Sequence, residues 1–130
     1  MRKANTMTYD DCDEFTQGYI DAACWTSDPD PPSGPYDATD QRSRLCPNVL
    51  NDMAASCADF QAHHNVDLTC DGAPDLARAG HDFWLTRNGH GAGYWDGDWP
   101  EPAATRLTDA AQACGEVDLY TGDDGTIYQY

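Results

Sequence analysis

The chain has 130 residues, with twenty-three carboxylates against seven Lys and Arg and a formal net charge of −16. That length suits one domain with one core. The charge disfavours nucleic acid and anionic membrane as partners and favours a basic one, and no run reaches the roughly eighteen apolar residues of a spanning helix.

Leu, Ile, Val and Phe number only fifteen. Low aliphatic content with high net charge is a signature of disorder. Against it stand four Trp, seven Tyr, three Met and six Cys, because each aromatic ring buries a large area. The expectation is a single acidic α+β domain over residues 8–130, mainly helical, with a short C-terminal hairpin. The opening MRKANTMTYDD carries two basic residues with no apolar run behind them. Residues 1–7 are therefore expected to be a flexible basic tail rather than a secretory signal, with Met7 a second candidate start.

Thr8 to Trp25 reads as the first helix. Thr8 is its candidate N-cap, and Asp10, Asp11 and Asp13 load the positive end of the dipole. Cys12, Phe15, Tyr19, Ala22 and Ala23 recur at helical spacing, leaving Asp10, Asp13, Glu14, Gln17 and Asp21 on an acidic outer face. Residues 26–44 hold four prolines and four aspartates, Asp28, Asp30, Asp37 and Asp40. They predict a mobile acidic loop.

Cys46 to His64 predicts a second helix, with Pro47 in its first turn and Val49, Leu50, Met53, Cys57 and Phe60 inward. Residues 65–73 are expected to leave the helix and turn at Asp71-Gly72. A third helix is expected over Pro74 to Arg87, with Leu76, Ala79, Phe83, Trp84 and Leu85 inward and Asn88-Gly89 as its stop. Pro100 to Cys114 predicts a fourth, with Ala103, Leu107, Ala110, Ala111 and Cys114 inward and Gly115 as the stop. The period then changes to alternation in VDLY and TIYQY, with Asp124-Gly125 as the hairpin turn. Val117, Leu119 and Ile127 share one face of that ribbon.

The six cysteines show no C-x-x-C pair, so zinc-finger spacing is missing. Most of them sit beside apolar residues on helix-like segments, which predicts free thiols acting as small hydrophobes.

The stretch GHDFWLTRNGHGAGYWDGDW, Gly80 to Trp99, is the chemically richest. A small enzyme or ligand site here would gather His81, Asp82, Arg87, His90 and Asp96, as metal ligands or as a histidine base with an aspartate orienter. The residue types are present but the spacing is not specific. There is no HExxH, DGDWPE lacks the terminal glutamate of a calcium loop, and GHGAG lacks the Lys-Ser/Thr of a phosphate loop. The simpler expectation is structural. Glycines turn the loop, Tyr94, Trp95 and Trp99 close the core, and no metal, cofactor or catalytic residue is present.

AGHDFWLTRNGHGAGYWDGDW, with GEVDLYTGDDGTIY after it, resembles a family of small acidic proteins encoded by tailed bacteriophages and prophages. Members pair this block with an acidic amino-terminal half opening like TQGYIDAACWTSDPD. The resemblance runs nearly the whole chain from Met7. The chain departs from it at Pro100-Glu101-Pro102, in its extra cysteines and in its basic start. The resemblance implies a phage protein working in the host bacterial cytoplasm, and it supplies no catalytic residues because the family has no established activity.

In that context the charge suggests counter-defence. Duplex DNA carries one charge per roughly 1.7 Å of axis, and carboxylates packed on a small domain approach that density. The expected partner is a basic host nucleic-acid-binding protein or CRISPR effector complex, and not nucleic acid itself. It would be met by Asp10, Asp13, Glu14, Asp21, Asp28, Asp30, Asp37 and Asp40. Three alternatives stand beside mimicry: a small phage enzyme or ligand-binding protein centred on His81, Asp82, Arg87, His90 and Asp96, a structural accessory protein, and acidity that serves only solubility.

Overall fold

A 3₁₀ turn at Tyr9–Asp11 leads into helices α1 (Glu14–Thr26), α2 (Pro47–Leu68), α3 (Leu76–Arg87) and α4 (Ala103–Ala113), followed by strands β1 (Leu119–Thr121) and β2 (Ile127–Gln129). The computed structural model describes residues 8–26, 44–89 and 92–129. The expected tail over 1–7, most of the 26–44 loop with Asp28, Asp30, Asp37 and Asp40, and His90 lie outside them. Among the described residues four helices and an antiparallel hairpin make the fold α+β, as the sequence predicts.

The first helix does not run from Thr8. The Asp11 carboxylate accepts bonds from the Thr8 N–H at 3.1 Å and the Thr8 hydroxyl at 3.0 Å, closing the 3₁₀ turn. Cys12 is extended, with φ −83° and ψ 153°. Asp13 then restarts the chain, its Oδ1 accepting from the Thr16 N–H at 2.9 Å. Short polar side chains that bond nearby backbone compete with helix continuation, and two of them in succession split the expected helix. Most of α1 is buried. Its open side is the narrow row Glu14, Gln17, Asp21 and Trp25, not a broad acidic face, and Trp25 is exposed.

Helix α2 buries the whole expected stripe of Val49, Leu50, Met53, Cys57 and Phe60. At His64, where a stop was expected, it bends (φ −126°, ψ 17°) but continues to Leu68. The added turn has tertiary support. Leu68 is buried, and Asp67 accepts two bonds from Arg106 on α4, at 2.9 and 2.6 Å. Gly72 then takes a φ of +88° at the predicted turn.

Helix α3 starts two residues later than expected because Asp75 is its N-cap, accepting from the Arg78 N–H at 2.8 Å. It packs chiefly against α1. The two cross at glycine: a β-carbon at Gly18 would fall on the Ala77 carbonyl oxygen, and one at Gly80 on that of Phe15. Backbone therefore meets backbone, and the flanking rings interlock. Phe83 stacks on Phe60 with centroids 4.1 Å apart, and Tyr19 meets Trp84 edge-on at 5.3 Å. Gly89 ends the helix with a φ of +70°.

The loop that follows returns over α3. Tyr94 and Trp99 are buried and meet edge-on at 5.2 Å. Trp95, expected in the core, is instead 43% exposed. Helix α4 begins at Ala103 rather than Pro100, since Pro102 disfavours helical backbone at the residue before it and Glu101 instead caps the Thr105 N–H at 2.9 Å. Cys114, expected inward, lies exposed just past the end of α4, so only Cys24 and Cys57 are fully buried among the six free thiols.

The strands pair Leu119 with Gln129, Tyr120 with Tyr128 and Thr121 with Ile127. The turn is wider than a two-residue Asp124-Gly125 hairpin, spanning Gly122 to Thr126 and closed by a 2.8 Å bond between them. Val117, Leu119 and Ile127 pack on the core as expected. A two-stranded ribbon is marginal alone. Here Ile127 also bridges to Leu45, with its N–H donating to the Arg44 carbonyl at 2.7 Å, which ties the ribbon to the chain entering α2. Among the described residues no helix is long and apolar enough to cross a membrane.

Candidate functional site

Asp82 sits on α3 with no exposed surface. Its Oδ2 accepts from the Trp99 indole N–H at 2.8 Å and from the Arg78 Nε–H at 3.4 Å. Its Oδ1 lies 4.0 Å from His81 Nδ1, and both atoms are buried without a hydrogen-bond partner among the described residues. Arg78 spends its Nη2 on Asp98 at 2.6 Å. Burial raises Asp82 above the ordinary carboxylate range, against the pull of Trp99 and Arg78. Burial likewise lowers His81, so its imidazole is neutral at neutral pH. The His81 ring stacks on exposed Trp25 at 6.2 Å.

The remaining members of the expected cluster lie elsewhere. Arg87 donates from Nε to the Gly115 carbonyl at 2.8 Å, from Nη2 to that of Cys114 at 3.1 Å and from Nη1 to the Tyr19 hydroxyl at 3.2 Å. It thereby satisfies carbonyls just past the end of α4, which a helix leaves without partners. Asp96 is exposed and accepts from the Gly93 N–H at 3.1 Å, a local turn bond. Arg87 and Asp96 thus act as structural residues apart from His81 and Asp82, and His90 lies outside the described residues. The four described members do not form one catalytic constellation. Among the described residues no group of three or more His, Cys, Asp and Glu could hold a metal.

A shallow cleft of about 240 Å³ opens beside this block, with Trp95, Trp99, Glu101, Ala104, Thr105 and Asp109 among its walls. The sequence drew no attention to it. The helical spacing of Glu101, Thr105 and Asp109 beside two tryptophans is the signal that marks it.

The acidic surface is partly built into the fold. Asp13, besides capping α1, accepts from Gln61 of α2 at 3.1 Å, and Asp21 accepts from the Tyr9 hydroxyl at 2.9 Å. The Thr16 and Gln61 bonds hold Asp13 below the usual carboxylate range although desolvation opposes them. Asp13 therefore has a folding role besides its charge. Asp10 and Glu14 are exposed beside it. Among the described residues sixteen of nineteen carboxylates are exposed, against four arginines. Arg78, Arg87 and Arg106 are all engaged by carboxylates or backbone carbonyls. No protein-family model, curated protein or solved structure matches the chain.

Proposed function

We propose that the protein works by binding rather than catalysis: a phage counter-defence factor that presents fixed carboxylates to a basic, nucleic-acid-binding host protein and competes with its nucleic acid. A CRISPR effector complex in the host cytoplasm is the first partner to test. The observation that carries this proposal is the surface imbalance, with exposed carboxylates far outnumbering arginines that are themselves mostly engaged. Such a surface attracts a basic groove over a distance and speeds encounter. The cluster at Asp10, Asp13 and Glu14 suits this role because the bonds to Thr16 and Gln61 hold its backbone and one carboxylate in place before a partner arrives.

The test compares two doubly neutralised variants with equal charge change. Asp10→Asn/Glu14→Gln removes charge from the proposed contact, and Asp118→Asn/Asp123→Asn removes it from the hairpin. The first should slow association with the effector complex more than the second, high salt should weaken the wild-type complex, and nucleic acid should compete. Equal binding by wild type and both variants at every salt concentration refutes the proposal and leaves acidity as a solubility device.

A further inference from the structure

We infer that the cleft between Trp95 and α4 is a binding site for an organic cation, a guanidinium or alkylammonium group. This does not depend on the partner surface proposed above. Three observations point to it. Trp95 is a large aromatic residue left 43% exposed beside two aromatics of the same loop that are buried, Tyr94 and Trp99. Its ring lies against Gly93, where a β-carbon would sit 2.9 Å from it. Glu101, also on the wall, is held in place, with Oε1 accepting from both the Thr105 N–H and the Thr105 hydroxyl at 2.9 Å and Oε2 from the same hydroxyl at 2.9 Å. Asp109 of α4 adds a second exposed carboxylate to the wall.

The chemistry of these walls selects by charge. An anion meets Glu101, Asp109 and the net charge of −16. A neutral apolar group gains little area in an open cleft and strips water from two carboxylates. A cation gains from both walls: the indole face attracts it within about 6 Å of the ring centroid, and the carboxylates accept charge-assisted bonds from its N–H groups. Size limits the choice further. About 240 Å³ lies below the roughly 300–1,000 Å³ of pockets that enclose drug-sized molecules, and it suits one cationic head group. Such a group arrives either as a small free cation or as the end of an arginine or lysine side chain.

The experiment follows the indole N–H signals of Trp95 and Trp99 by NMR in the full chain. Blocked arginine (N-acetyl-arginine N-methylamide) should move both signals saturably, with a dissociation constant in the millimolar range, while blocked leucine and sodium chloride at matched ionic strength should not. Read on Trp99, the Trp95→Leu and Glu101→Gln variants should each weaken binding about fivefold. Asp109→Asn, which removes no helix cap, should weaken it in the same direction if Glu101→Gln disturbs α4. Tetramethylammonium is the second ligand: tighter binding than blocked arginine assigns the site to free quaternary cations, and weaker binding assigns it to side chains. Equal shifts from blocked leucine or plain salt overturn the inference. So do shifts centred on Trp25 or Trp84, or unchanged affinity in all three variants.

Discussion

Replacing Gly80 with Ala tests the packing on which the molecule depends. In an ordinary exposed helix this change stabilises by about 1 kcal/mol, because Gly is a poor helix former. Here the new β-carbon would fall on the Phe15 carbonyl oxygen. Non-bonded heavy atoms prefer about 3.5–4.0 Å, so α1 and α3 would have to part by roughly 1–2 Å. Both colliding groups are anchored to backbone, and no rotamer relieves them. Parting the helices also loosens Phe15 against Phe83, now 5.9 Å between centroids, and Tyr19 against Trp84. Overpacking costs typically ~1–3 kcal/mol and sometimes more. A site with no escape belongs at the upper end, so the net loss should be about 3 kcal/mol, or about 10 °C in Tm for a domain of this size. Gly97→Ala is the control: its φ is +98° but no atom lies within 4 Å of the new carbon, so only ~1–2 kcal/mol of backbone strain is expected. Thermal unfolding followed by circular dichroism gives both values. A Gly80→Ala protein as stable as wild type, or more stable, would refute the backbone-to-backbone crossing.

Trp99→Ala should cost ~3–5 kcal/mol, as a buried ring whose loss also leaves Asp82 short of a donor; Trp95→Ala, on the exposed wall, should cost less than half of that in the same denaturant titration. Asp82 is held above its unfolded-state value of about 3.9, so the native state binds its proton more tightly, and its contribution to stability falls as pH rises from that value through the folded one. Asp82→Asn removes this dependence, so its stability relative to wild type should improve between acid and neutral pH; a constant or declining difference would contradict the burial of a charged carboxylate. Alkylation without reductant should label exposed Cys114 in the native protein and reach Cys24 and Cys57 only after unfolding, all six cysteines being free, and burial raises the Cys57 thiol further from reactivity; early labelling at Cys57 by mass spectrometry would contradict the core.

Much of the helical framework was legible because apolar residues recur at helical spacing. The α2 stripe from Val49 to Phe60 is buried as that spacing predicts. The errors fall where a local signal competes with another local signal or with a distant partner. Thr8, Asp11 and Asp13 look like residues of one helix start, yet each cap closes its own short turn. The α2 extension past His64 depends on Arg106, which lies thirty-nine residues from Asp67. Trp95 and Trp99 look alike in sequence, and only the path of the loop exposes one and buries the other. The glycine crossing had a signal that can be read: a lone glycine inside a helical pattern is costly and needs a packing reason, and Gly18 and Gly80 are both such glycines. Of the candidate site, His81 and Asp82 are adjacent by sequence alone, while Arg87 turned inward to the end of α4, where nearby carbonyls had no helical partner.

The protein combines a strongly anionic surface with a core poor in aliphatic residues, and the glycine crossing helps explain how both hold. Close backbone approach brings Phe15, Tyr19, Phe83 and Trp84 into mutual contact, so aromatic packing supplies what leucine and valine supply elsewhere. Carboxylates drawn into this packing are held by specific donors. Asp82 has Trp99 and Arg78, Asp67 has Arg106, and Asp21 has Tyr9. Others cap backbone N–H groups, as Asp13, Asp75 and Glu101 do. These carboxylates are explained by folding. Exposed residues such as Asp10, Glu14, Asp118 and Asp123 have no such account, and their repulsion works against compaction. If they served solubility alone, their positions would be interchangeable and only their number would matter. A binding role makes position decisive, which is why variants of equal charge change at opposite ends of the chain separate the two explanations where a simple loss of charge would not.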